Sequence, residues 1–154
     1  MARLMISSPN ILLLVLILPV ALVGMTSSLG YAQGLGEIFL VKDIRPGSGD
    51  AYPWWLTAVD GVLYFLADDG IHGSELWKSD GTAAGTMLVK DINPGSAPSD
   101  PSGFVEMDGA VYFVANDGAS GTELWRSDGS PSGTYRVADV NPGSASAAPW
   151  NLTV

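Results

Sequence analysis

The 154-residue chain contains no cysteine, so it can form no disulfide framework and carry no lipid attached through cysteine. Its 16 acidic and 7 basic residues give a formal net charge of −9 at pH 7. An acidic surface argues against nucleic acid and anionic lipid as partners, and it indicates either plain solubility or an affinity for divalent cations.

The N-terminal segment has the three-part pattern of a secretory signal peptide. Arg3 stands in a short first part without acidic residues, and an apolar run follows at residues 11–25. Gly30 and Ala32 then place small side chains before a cleavage point at Gln33. The run is shorter than the roughly 18 to 20 apolar residues of a spanning helix, which disfavours the alternative of a retained anchor. We therefore expect a signal helix that is removed on export, leaving a secreted or cell-surface protein without membrane contact.

The remainder of the chain is built from a repeated unit of 48 residues. Residues 41–88 align with residues 89–136 without a gap and are identical to them at 24 positions. A period of this length indicates a stacked or radial repeat architecture, in which each unit buries its apolar face against the next. We divide the chain into a signal peptide at residues 1–32 and a repeat region at residues 33–154. The repeat region contains two full repeats, at 41–88 and 89–136, and the start of a third repeat at 137–154.

Each unit contains four apolar stretches that read as short strands separated by turn signals. Asp60-Gly61 is a two-residue hairpin signal, because both turn positions need a positive φ. The second stretch is apolar on both faces, which predicts burial on both sides of the sheet. In the first unit we predict strands at 56–59, 62–67, 75–79 and 86–92, and before it a strand of the fourth type at Glu37–Ile44.

Four antiparallel strands in 48 residues predict an all-β fold made of the four-stranded blades of a β-propeller. A linear β-solenoid and a plain sandwich are the alternatives. Closed propellers have about four to eight blades, so two full units form an incomplete array. We therefore expect the chain to be the N-terminal part of a longer array, or to self-associate.

Two motif words resemble those of a known repeat family. Residues 75–82 read Glu-Leu-Trp-Lys-Ser-Asp-Gly-Thr, and residues 123–130 read Glu-Leu-Trp-Arg-Ser-Asp-Gly-Ser. With the accompanying Val-Lys-Asp-Ile and Pro-Gly words, they are similar to the ELWxxDGT repeats of exported, mostly bacterial, hyalin-like or propeller-like proteins. Ser130 and Ala138 depart mildly from that pattern. The resemblance implies a surface or secreted propeller-like protein, and it implies no established activity.

The tryptophans fall into two groups. Trp77 and Trp125 share one repeat position, so we expect both in the core. Trp54 and Trp55 align with Ser102-Gly103, so the repeat does not require aromatic residues there. Tyr52, Trp54 and His72 belong to the two loops that differ most between the copies, residues 45–54 and 68–74, which we call the variable loops. These three residues are our candidates for a ligand-binding face.

Calcium is the one cofactor that the loops suggest. Asp68, Asp69 and Asp117 offer carboxylate oxygens, and we take them as candidate ligands. Calcium loops usually alternate their acids, however, and that alternation is absent. The competing interpretation is structural, with the aspartates accepting hydrogen bonds from turn backbone.

We find no nucleophile elbow, phosphate loop or zinc spacing in the sequence, and we assign no catalytic residue. We expect a secreted or cell-surface module that binds or scaffolds an extracellular protein or carbohydrate. The alternative is an enzyme that uses the propeller as a platform, such as an extracellular carbohydrate-active or other hydrolytic enzyme.

The signal pattern predicts cleavage after Ala32. N-terminal sequencing of exported material is expected to begin at Gln33, because the small residues Gly30 and Ala32 suit the protease that removes signal peptides. A chain recovered from a membrane fraction with Met1 in place would contradict the prediction.

Overall fold

A computed structural model describes residues 38–154, which form eight strands in two four-stranded antiparallel sheets. The predicted signal peptide lies outside the described residues. Within the described range there is no helix, and hence none that is long and apolar enough to cross a membrane. The prediction of a strand at 37–44 is wrong over residues 38–44, where Leu40 makes a single bridge and no residue belongs to a strand.

Each sheet is a simple up-and-down meander, in which strands that follow each other in sequence lie side by side. The first sheet has the order β1-β2-β3-β4, and the second has the order β5-β6-β7-β8. The strands of the first are Trp54–Val59, Val62–Asp68, Ser74–Ser79 and Met87–Lys90. Those of the second are Ser102–Met107, Ala110–Asn116, Thr122–Ser127 and Tyr135–Arg136.

The hairpins between the first two strands of each sheet form because their turn residues tolerate a left-handed backbone. Asp60 and Gly61 have φ angles of 48° and 81°, and the repeat places Asp108 and Gly109 at 53° and 70°. A two-residue turn with both φ angles positive matches the twist of the flanking strands. The expected hairpin at Asp60-Gly61 is thus observed, and the second repeat has the same one.

The two sheets share one apolar core. Val59, Tyr64, Leu76 and Val89 of the first sheet and Phe104, Val111, Phe113, Ala115 and Trp125 of the second belong to a single buried cluster. Within it the rings of Phe104 and Phe113 lie 5.3 Å apart between centroids and are tilted by 55°, a favourable geometry for aromatic pairs. The second sheet therefore covers one face of the first.

A separate apolar cluster lies on the other face of the first sheet. Phe65, Ala67 and Trp77 pack there against Ile44 and Ala51, which come from the segment before β1. The first sheet is consequently buried on both faces, as expected for a stretch that is apolar on both sides.

Two lysines tie neighbouring units together through the same contact. Lys90 Nζ donates to the carbonyl oxygen of Thr134 at 2.7 Å, and Lys42 Nζ donates to that of Thr86 at 2.6 Å. The donor and acceptor of the second bond each lie 48 residues before those of the first. The repeat therefore reproduces bonds between units as well as the folding of each unit.

Trp77 is 6% exposed and Trp54 is 65% exposed, which gives a matched pair of substitutions. Trp77→Ala is expected to lower the free energy of unfolding by roughly 3–5 kcal/mol, because it leaves a large cavity in the core. Trp54→Ala is expected to change it by no more than about 0.5 kcal/mol, as at other surface positions. Urea titration of both variants checks the prediction, and equal losses would contradict the core assignment of Trp77.

Candidate functional site

The most constrained polar group in the described chain is the carboxylate of Glu75. Its side chain leaves β3 and is fully buried. It accepts hydrogen bonds from Ile92 N at 2.9 Å, from Ser99 N at 3.1 Å and from Ser99 Oγ at 2.6 Å. All of these donors belong to the segment that leads from the first sheet to the second. The glutamate of one repeat thereby fixes the connection to the next.

Glu123 repeats this arrangement in the second unit. It is also fully buried, and it accepts from Val140 N at 3.0 Å and Ala147 N at 2.9 Å. In both units the donors lie 17 and 24 residues after the glutamate. Ala147 stands where the first unit has Ser99, so no hydroxyl reaches this carboxylate. Both glutamates thus hold the connection that follows their own sheet.

Burial governs the protonation of Glu75. Loss of water around the carboxyl group raises its pKa to about 7, although the hydrogen bonds from Ser99 and Ile92 act in the opposite direction. Such a carboxyl group could exchange a proton near neutral pH. Its oxygens are enclosed by backbone donors, however, so a substrate has no access to the proton. Protonation of Glu75 therefore affects the stability of the fold.

The Asp-Gly turns after the third strands are held by their own aspartates. Asp80 Oδ1 accepts from Thr82 N at 2.9 Å and from Thr82 Oγ1 at 2.7 Å, and Asp128 makes the same bonds with Ser130. These bonds lower the pKa of both carboxyl groups. Ser130, which stands where the first repeat has Thr82, keeps the hydroxyl that bonds to the turn aspartate.

The three aspartates considered as calcium ligands are engaged by protein groups. Asp68 forms an ion pair with Arg45 at 2.5 Å. Asp69 Oδ1 accepts from the backbone N–H groups of Ile71 and His72, at 2.8 and 2.9 Å. Asp117 accepts from the two corresponding residues of the second repeat, at 3.0 and 2.7 Å. Residues 38–154 contain no group of three or more His, Asp or Glu side chains placed to hold a metal ion.

His72 is bound to the same loop as Asp69. Its Nδ1 lies 2.8 Å from Asp69 Oδ2, and the hydrogen bond to that carboxylate raises the pKa of the imidazole. The side chain is one-third exposed. Because its ring is bonded to Asp69, His72 helps to hold the conformation of the loop. The rest of the ring remains partly exposed to solvent.

The antiparallel order of the first sheet brings the variable loops to one end. Trp54 at the start of β1 lies opposite Leu66, near the end of β2. Asp68 N donates to the Ala51 carbonyl at 2.9 Å, and the Arg45–Asp68 ion pair joins the same two loops. The structure therefore places the loops that carry Tyr52, Trp54 and His72 side by side, at one end of the sheet.

Three aromatic residues at this end are exposed to solvent. Tyr52, Trp54 and Trp55 are 55%, 65% and 54% exposed. Trp55 also has a φ of +58°, a left-handed conformation that a bulky residue rarely adopts. The equivalent positions hold Gly103 at +66° and Asn151 at +59°, two residue types that tolerate this conformation. The sequence alone does not reveal this strained, exposed Trp55, although its alignment with a glycine was a usable signal.

Comparison with known proteins does not add to this description. No family model matches the chain, no curated protein matches it, and no solved structure matches it.

The buried carboxyl group of Glu75 predicts how stability depends on pH. Its pKa is about 7 in the folded chain against 4.5 ordinarily, so the folded state binds more protons between these values. The free energy of unfolding is therefore expected to fall as pH rises from about 4.5 to about 7, by roughly 3 kcal/mol, and to change little above that.

Urea titrations at a series of pH values test this expectation. Glu75→Gln should abolish the fall, because the amide does not titrate in this range. Glu123→Gln is the matched control and should retain it, since Glu75 is intact. A fall of the same size in Glu75→Gln would assign the pH dependence to other groups.

Proposed function

We propose that this protein is a secreted or cell-surface repeat protein of the ELWxxDGT type that acts as a binding or scaffolding module. In this proposal the two sheets are successive blades of a propeller-like array. Three observations support the blade assignment: the meander order of both sheets, the core that they share, and the lysine bonds that recur after 48 residues.

The observation that carries the binding role is a division between repeated and unrepeated residues. The repeated polar groups, such as Glu75 and Asp80, form hydrogen bonds within the protein that stabilise the fold. The aromatic residues Tyr52 and Trp55 have no aromatic counterpart in the other repeats, and Trp54 recurs only as Trp150. All three residues of the first repeat contribute little to the core and lie exposed at one end. Exposed aromatic groups of this kind are typical of interaction sites.

The strained backbone of Trp55 strengthens this interpretation. A bulky residue in the left-handed region costs on the order of 1–3 kcal/mol, and such strain is often kept for function. The repeat supplies glycine or asparagine at this position, which would avoid most of that cost. Packing does not require the indole, because half of it is exposed.

The partner that fits these loops is an extracellular carbohydrate or protein. Aromatic faces stack on the apolar faces of sugar rings and on apolar side chains, and Arg45, Asp68 and His72 supply polar groups nearby. For the enzymatic alternative, the two repeated glutamates do not provide an acid and base pair, since backbone donors enclose both.

Substitution of Trp55 separates function from stability. Trp55→Gly is expected to raise the free energy of unfolding by about 1 kcal/mol, because glycine relieves the left-handed backbone. The same change, and Trp54→Ala, should weaken binding to glycans or extracellular proteins captured on an array by at least about tenfold. Tyr135→Ala is the control, since that aromatic residue is 47% exposed but lies in β8 of the second sheet, outside the variable loops.

A Trp55→Gly variant that is less stable than the native chain would show that the indole serves packing. A variant that keeps its full binding to the captured ligand would remove Trp55 from the proposed surface.

A further inference from the structure

One repeat position combines a left-handed backbone with a proline that follows it. Tyr52, Asp100 and Ala148 occupy this position at intervals of 48 residues, each directly before a proline. Their φ angles are 44°, 48° and 44°. The ring of a following proline usually confines a residue to extended backbone, so a left-handed φ is unusual here. Because the conformation recurs with three different side chains, the fold imposes it.

Bonds on both sides hold Asp100 in this conformation. Asp100 N donates to the Ser74 carbonyl oxygen at 3.2 Å, and Ser99 N donates to the same oxygen at 3.1 Å. The Ser99 carbonyl oxygen accepts from Asn116 N at 3.0 Å, and Pro101 is fully buried. Ser74 belongs to the first sheet and Asn116 to the second. The backbone at Asp100 therefore cannot relax to a negative φ without breaking contacts to both sheets.

Of the three residues at this position, only Asp100 carries a carboxyl group. Its side chain is exposed, and within residues 38–154 it takes part in no hydrogen bond or ion pair. The turn aspartates Asp80 and Asp128 differ, because Thr82 and Ser130 bind their carboxylates. An Asp–Pro bond is hydrolysed by acid more easily than other peptide bonds. The proline nitrogen belongs to a tertiary amide and leaves as a basic amine, and the aspartate carboxyl group can reach its own carbonyl carbon.

We propose that the peptide bond between Asp100 and Pro101 is a site of self-cleavage, which the folded chain accelerates. A carboxyl oxygen of Asp100 attacks the carbonyl carbon of the same residue and closes a five-membered cyclic anhydride. The bond from that carbon to Pro101 N breaks, and the nitrogen takes the proton that the carboxyl group gives up. One water molecule then opens the anhydride. The first piece ends in Asp100, the second begins with Pro101, and the sum is the hydrolysis of one peptide bond.

The strained backbone is the reason for acceleration by the fold. Aspartate tolerates a left-handed φ better than most residues, but the following proline restricts this freedom. Breaking the bond to Pro101 removes that restriction, so strain present before the reaction lowers the barrier. Strain of the usual size corresponds to about tenfold or more in rate. Among Ser74, Glu75 and Asn116, which bond this segment, only Glu75 titrates, and its carboxylate binds Ser99.

Cleavage at this bond leaves the two sheets together. The cut lies in the connection between β4 and β5, whereas the shared buried cluster contains Val59 and Leu76 before it and Phe104 and Trp125 after it. The two pieces therefore stay associated through the core and separate only when the protein is unfolded. Detection of the cut requires denaturing conditions.

The experiment follows the full chain over time at the lowest pH at which tryptophan fluorescence shows it folded. A second sample at the same pH contains enough urea to unfold the chain. Mass spectrometry after denaturation is expected to find two pieces that meet between Asp100 and Pro101, formed about tenfold faster in the folded sample. Asp100→Ala introduces the residue that the third repeat has at this position, and it should abolish the cut.

Two further variants separate the backbone conformation from the Asp–Pro sequence. Ala97 precedes a proline in the same connection, is exposed and has no positive φ. Ala97→Asp therefore creates an Asp–Pro bond on an ordinary backbone, and the new bond should break no faster in the folded than in the unfolded sample. Tyr52→Asp creates one at a φ of 44°, and the fold should accelerate cleavage before Pro53.

A native chain that is cut no faster when folded than in urea would overturn the proposal. Pieces that still meet at this bond in Asp100→Ala would show that the carboxyl group is not the reacting group, and would also overturn it. Equal acceleration at the new bond of Ala97→Asp would reject the left-handed backbone as the cause. The same conclusion would follow if the fold did not accelerate the cut in a folded Tyr52→Asp chain.

Discussion

The fold depends on a carboxylate buried between one repeat and the next. The segment after β4 turns away from the sheet, so its backbone N–H groups lose their strand partners and, once buried, must find others. Glu75 supplies them from 17 and 24 residues earlier, and Glu123 does the same for the following segment. Because this bond fixes the path of the connection, it also fixes where the next sheet begins and which apolar residues it can cover.

This constraint separates two kinds of position in each repeat. Residues that bind the connection or fill the space between sheets, such as Glu75 and Trp77, have to recur because every unit has the same space to fill. Residues at the end of the sheet that carries the variable loops are free of that requirement, and there the first repeat holds Tyr52, Trp54 and Trp55. The Gly and Asn at the positions equivalent to Trp55 show what the backbone alone would prefer.

Local patterns in the sequence were sufficient for strands and turns. Apolar stretches bounded by Asp-Gly predicted six of the strands closely, and the Trp shared by both repeats was correctly expected in the core. The fourth strand is shorter than expected because Glu75 binds Ile92, and the strand expected at 37–44 shows a single bridge. A hydrogen bond between residues 17 positions apart produces no periodic pattern in the sequence, so it could not be predicted from the sequence. The ligand candidates Tyr52, Trp54 and His72 could be placed at one end of a sheet from topology, but the Arg45–Asp68 pair that joins their loops could not.

The proposed binding surface lies apart from the contacts that hold the two sheets together. The variable loops lie where β1 begins and β2 ends, whereas the buried clusters occupy the broad sides of the sheets. Substitutions at Tyr52, Trp54 and Trp55 can therefore change recognition while the core is kept. The segment that carries Tyr52 is the counterpart, 48 residues earlier, of the connection that Glu75 binds, because Ile44 and Ala51 stand at the positions of Ile92 and Ser99. Within this element of the repeat, the residues that are buried have to fit the fold, whereas the exposed side chains beside them are free to differ from one repeat to the next.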